Sequence, residues 1–172
     1  MNDISKKTTG VIMEREIRRN QNNLVILGTG VLAFGAWTVI RSLALYLIQR
    51  SEIERMVASA VPEDLAAMVM AAMTGIIVVV LAIDLIFRII VGFSARAEGK
   101  GRKKHAIYLA AAVLLIVIHA ISIGTGIAAI FADPEGIVES IIGAVIDFTS
   151  AITLVQLIMA SVRLRKLTAQ KQ

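Results

Sequence analysis

Asp147 and His119 stand out because each is an ionisable residue deep within apolar sequence, Asp147 between Ala144-Val145-Ile146 and Phe148, His119 after Leu114-Leu115-Ile116-Val117-Ile118. A charge at the centre of a bilayer costs roughly 2.5 to 3.5 kcal/mol on insertion scales, so such a side chain needs a partner, a water-filled path or a bound ion. No opposite charge lies within one helical turn of Asp147 along the chain. Spacings of three and four place Glu139, Ser140, Gly143, Asp147 and Ser150 on one helix face, a small polar stripe unsuited to lipid. Such a stripe either glues helices together by hydrogen bonds or lines an aqueous path, and its two acids favour something that attracts cations. His119 shares a face with Tyr108, Ala112, Leu115, Ser122 and Gly126. Its titration near neutral pH suits a proton relay or pH gate, beside the plainer role of a hydrogen-bonded core residue. The ion or proton pathway candidates are therefore Asp147, Glu139, His119, Ser140 and Ser150.

Two further pairs have a structural reading. Arg41 and Glu139 are expected at similar depth near the outer boundary, where an interhelical ion pair would lower the desolvation cost of both. Snorkelling of Arg41 beside an outer aromatic belt of Trp37 and Tyr46 is the alternative. Asp84 and Arg88, four residues apart, neutralise each other on one helix and are expected near the inner boundary. Acidic residues flank the outer ends of the spans: Glu52, Glu54, Glu63, Asp64, Asp133 and Glu135.

Other chemistry finds no support. The chain has no cysteine, which removes disulfides, thiolate metal sites and cysteine nucleophiles. There is no nucleophile with an adjacent base, no phosphate-cradling loop and no metal-ligand spacing, so neither an enzyme nor a cofactor is expected. Ser122-Ile123-Gly124-Thr125-Gly126 continues an apolar helix without a preceding pore helix, and is read as small-residue packing rather than an ion filter. The net charge of +5 would suit nucleic acid, but the basic residues sit in short clusters beside apolar runs with no aromatic interleaving. No nucleic-acid partner is expected.

The elements that position these residues follow from composition. A chain of 172 residues that is 57% hydrophobic cannot bury so much apolar surface in a single small core, and requires lipid as a second solvent. Apolar runs cover residues 24–48, 65–91, 106–132 and 137–162, each at or above the ~20 residues of a spanning helix. Pro62, Glu63 and Asp64 open the second run, and Asp133-Pro134-Glu135-Gly136 predicts a tight turn between the third and fourth. The fold class is thus all-α, a polytopic four-helix transmembrane bundle.

Charge asymmetry gives its direction. Lys6, Lys7, Arg15, Arg18 and Arg19 precede the first run, Arg96, Lys100, Arg102, Lys103 and Lys104 follow the second, and Arg163, Arg165, Lys166 and Lys171 follow the fourth. The opposite loops hold only Arg50 and Arg55, so both termini are expected in the cytoplasm and the bilayer to be the cytoplasmic (cell inner) membrane. Residues 1–22 form a cytoplasmic tail, with a short interfacial helix as one option, residues 23–163 the membrane domain and 164–172 a second tail. The basic segment at 99–104 is read first as a topology determinant and second as an anionic-lipid contact. Gly28, Gly35 and Ser42, at seven-residue spacing, mark a close-contact face toward another helix or another subunit, and a homo-oligomer is expected. The expected function is an oligomeric channel or transporter-like protein passing a small cation or proton. Its rival is a non-transporting assembly or regulatory subunit bound to a partner membrane protein.

Overall fold

The computed structural model describes residues 2–102, 106–132 and 137–171, with side chains throughout except at 2–9, 129, 132 and 139. The predicted turn at 133–136 lies outside the described residues. Four helices, α1 (Asn2–Ala60), α2 (Glu63–Gly99), α3 (Ile107–Ala132) and α4 (Ile137–Gln170), form an up-and-down bundle, and all four are long and apolar enough to cross a membrane. Large apolar side chains face outward along every helix, among them Ile48, Val80, Ile121 and Phe148. Outside lipid that exposure would be untenable.

The helices pair as two hairpins. In the first, glycines bring α1 and α2 to backbone contact: a Cβ added at Gly28 would lie 2.7 Å from the Gly92 carbonyl oxygen, and one at Gly99 would lie 2.6 Å from that of Gln21. Only glycine allows such an approach, and the face marked by Gly28 and Gly35 is thereby used within the chain. α2 stops in a Schellman cap, where Gly101 at φ 77° lets its N–H bond Glu98 O at 2.9 Å and that of Arg102 bond Ala97 O at 3.0 Å.

α1, at 59 residues, measures about 88 Å and runs without a break from the N-terminal segment through the first span. Residues 14–24 of α1 lie alongside the end of α4: Leu24 joins the buried cluster with Leu157, Ala160 and Leu164, Ile17 packs against that cluster, and Lys171 Nζ bonds Glu14 Oε1 at 2.9 Å. Both termini therefore share one end of the bundle. At the opposite end, the α1/α2 hairpin reaches about 18 Å beyond the end of α3, as counted outward from the level where Arg88 meets His119.

Candidate functional site

His119 is the thirteenth of the 26 residues of α3, which places it halfway along the shortest span. Around it the other helices contribute polar side chains at a single level. From α2, Arg88 Nη2 lies 3.0 Å from His119 Nε2, and its Nε donates to Asp84 Oδ2 at 2.7 Å. From α4, Ser150 Oγ is 3.0 Å from the same ring nitrogen and accepts from Arg88 Nη1 at 3.2 Å. On the other side of the ring, His119 Nδ1 lies 3.3 Å from Asp147 Oδ1, and Ser122 Oγ donates to Asp147 Oδ2 at 2.6 Å.

These contacts fix the tautomer. The guanidinium has only donors, so Nε2 accepts from Arg88 and the ring proton sits on Nδ1, directed at Asp147. Arg88 balances Asp84 in a direct bond. Asp147 faces a cleft of about 370 Å³ whose lining includes Arg41, Ser122, Thr125, Ser140 and Gly143. The guanidinium of Arg41 lies over Gly143, where an added Cβ would be 2.6 Å from Nη2. Each carboxylate thus has a cation near it, Arg88 bonded to Asp84 and Arg41 in the cleft that Asp147 lines, which lowers the cost of holding charges in a low-dielectric interior.

The structure brings together Asp147, His119 and Ser150, with Ser140 in the adjoining cleft. The side chain of Glu139, and with it the Arg41–Glu139 pair, lies outside the described residues. Two expectations about depth need correction. Asp84 and Arg88 do form their ion pair, but at the level of His119 and not at the inner boundary, because the α1/α2 hairpin overshoots α3 and a count from the start of the α2 run misjudges the level. Trp37 belongs to no outer belt, since it follows Gly35 by two residues and Gly35 packs on Arg88 itself. Tyr46 is farther out, its hydroxyl 2.7 Å from Thr74 Oγ1. Arg41 reaches across to α4 and does not snorkel along the lipid face.

A second polar layer went unread in the sequence. Near the end that holds the termini, Glu98 accepts from Arg165 Nε at 2.9 Å and Nη2 at 2.8 Å, from Tyr108 OH at 2.8 Å and from Ser161 Oγ at 3.2 Å. Glu98, Tyr108 and Ser161 are all buried. The available signal was Glu98 itself, the one acid between Asp84 and Asp133, set among basic residues that would otherwise repel one another. Between the two layers, Leu115, Leu154, Leu157, Val91 and Val31 fill the interior. Eleven residues of α4 separate Ser150 from Ser161, about 16 Å of apolar packing.

Set against known protein families, curated proteins and solved structures, the chain matches none. What can be said of its activity therefore rests on the two polar layers and the cleft.

Proposed function

We propose that this multi-pass protein moves protons across the cytoplasmic membrane, with both termini in the cytoplasm, and that Asp147 and His119 form the exchanging pair. The observation that carries the reading is the 3.3 Å contact of His119 Nδ1 with Asp147 Oδ1 at mid-span, on the wall of a polar cleft. A proton arriving by way of Ser122 or cleft water is taken up by the Asp147 carboxylate. The imidazole accepts a proton only at Nε2, whereupon Nδ1–H can be released to Asp147, so its part in the exchange requires Arg88 to withdraw from Nε2. A metal cation is disfavoured at the same place, because Arg41 lines the cleft beside Asp147 and Arg88 stands behind His119. Glu139, Ser140 and Ser150 complete the candidate route, Glu139 at its entrance. The apolar layer of Leu115, Leu154 and Leu157 closes the way toward Glu98, so transport requires a second conformation in which this layer parts.

Self-association belongs to the same reading. Gly75 on α2 and Gly124 and Gly126 on α3 have nothing within 4 Å of an added Cβ, which leaves small-residue surfaces for another copy. A particle that stays monomeric in mild detergents and in nanodiscs would remove this part of the proposal.

A second reading has an observation of its own. Among the described residues every buried side-chain nitrogen and oxygen has a hydrogen-bond partner, as expected of polar glue in an assembly or regulatory subunit that transports nothing. Flux from proteoliposomes with a trapped pH dye separates the two. Asp147→Asn keeps the shape and can still accept from Ser122, but it cannot carry a proton. Proton flux in the parent, lost in a normally folded Asp147→Asn, supports transport. No flux in the parent leaves the assembly reading in its place, and equal flux in both makes Asp147 structural glue and removes the main support for the proposed route.

A further inference from the structure

The end of the bundle that holds the termini carries a groove with no part in the mid-span site. It runs between α1 and α4 as two adjoining hollows of about 380 and 350 Å³ that share Asn20 and Arg163. Toward the membrane centre its walls are mostly apolar, with Ile26, Leu27, Met159 and Ala160, and with Asn23 and Gln156 as the polar residues among them. Toward the terminal end Arg19 and Lys166 join Arg163, with Glu16 as the acid among them. Beyond, the bond from Lys171 to Glu14 ties the two helices together.

The position of the groove identifies its occupant. The first apolar run begins at Leu24 and the fourth ends at Val162, so Asn23 and Arg163 lie where hydrocarbon gives way to headgroups. Ile26 and Met159 are exposed on the hydrocarbon side of that line, while three cations and one carboxylate converge on the other. A space that is apolar below and cationic above matches an amphiphile with an acyl chain and an anionic head. We propose that the α1/α4 groove is a binding site for an anionic phospholipid, its phosphodiester held by Arg163, Arg19 and Lys166 and one acyl chain lying along Ile26, Leu27 and Met159. The basic segment at 99–104 is a separate feature whose charges determine topology, whereas here cations from two helices meet over an apolar floor.

The test compares phosphatidylglycerol with phosphatidylcholine by native mass spectrometry and by thermal stability in nanodiscs of each lipid. The parent should retain phosphatidylglycerol preferentially and melt higher in it. Each basic residue near a membrane surface contributes about fivefold in affinity, so Arg163→Gln with Lys166→Gln should weaken retention roughly 25-fold. Arg50→Gln with Arg55→Gln, which removes the same charge from exposed positions at the opposite end of the bundle, should leave it unchanged. Met159→Trp, which fills the floor and keeps every charge, should also reduce retention, and millimolar glycerol phosphate should not displace the lipid. Equal retention of the two lipids, equal losses in the two charge variants, an unaffected Met159→Trp, or displacement by glycerol phosphate would each overturn the proposal. Should the Arg163/Lys166 variant fail to fold, Met159→Trp and the competition experiment still decide.

Discussion

Replacing Arg165 by glutamine and, separately, Glu98 by glutamine should cost the protein unequal amounts, although the two side chains form one ion pair. The Glu98 side chain is 1% exposed and that of Arg165 is 26% exposed. Arg165→Gln leaves a buried carboxylate with two hydroxyl partners, Tyr108 and Ser161, and breaking a buried pair in this way costs about 3 to 5 kcal/mol. Glu98→Gln removes the buried charge and retains its shape. Arg165 can then turn its exposed edge to water, so the loss is that of hydrogen bonds to a charged group, about 1.5 to 3 kcal/mol. Once either partner is gone the second substitution removes little more, and the double variant should fall short of additivity by about 2 kcal/mol. Reversible unfolding in mixed micelles, followed by circular dichroism, measures all four corners of the cycle. The reasoning fails if Glu98→Gln is the costlier single change, or if the two add within about 0.5 kcal/mol, the tolerance for independent sites.

Packing of the first hairpin makes a contrast among glycines. Gly92→Leu, whose Cβ alone would lie 2.8 Å from the Gly28 carbonyl oxygen, should destabilise by about 3 kcal/mol or more in the same assay. Gly10→Ala, with nothing within 4 Å, should instead gain up to about 1 kcal/mol from helix propensity alone. For orientation, reporters fused after Gln172 and inserted at Lys100 should both read as cytoplasmic, and an external signal from either refutes the proposed topology.

The spans were legible because bilayer thickness and hydropathy are one-dimensional quantities. Runs at 24–48 and 65–91 fall inside α1 and α2, and the polar face of α4 was visible from spacing alone. Relative height was not legible, because it depends on how far one hairpin slides past the other. Asp84 shows the consequence: measured from its own run it belongs at an edge, whereas Arg88, which it holds, meets His119 at mid-span. The helical reach of α1 before Leu24 was equally hidden, since Ile17 and Asn20 look like tail residues until α4 is placed beside them. Arg165 read as a positive-inside marker for the same reason, its partner lying 67 residues away.

Register within each hairpin follows a simple rule that also constrains how the protein can move. Partner numbers on α1 and α2 add to 120 for Gln21 and Gly99, Gly28 and Gly92, and Tyr46 and Thr74. On α3 and α4 they add to 269 for Tyr108 and Ser161, His119 and Ser150, and Ser122 and Asp147. Lipid is as apolar as the helix surfaces, so hydrophobicity does not choose between registers; glycine contacts and hydrogen bonds do. A slip of one turn, about 5.4 Å, inside the second hairpin would break both polar layers at once. Opening the apolar layer therefore falls to the seam between hairpins, where few polar side chains cross among the described residues: Arg88 to His119 and Ser150, Glu98 to Tyr108, Ser161 and Arg165, and Lys171 to Glu14. The absence of native cysteine makes this testable. A Cβ at Gly30 on α1 would lie 3.6 Å from Thr153 Cγ2 on α4, close enough for Gly30→Cys with Thr153→Cys to form a disulfide across the seam. Oxidation of that pair should abolish proton flux in proteoliposomes, and reduction should restore it. Undiminished flux with the disulfide fully formed would mean that protons cross without the hairpins parting, and the apolar layer would have to be breached by water alone.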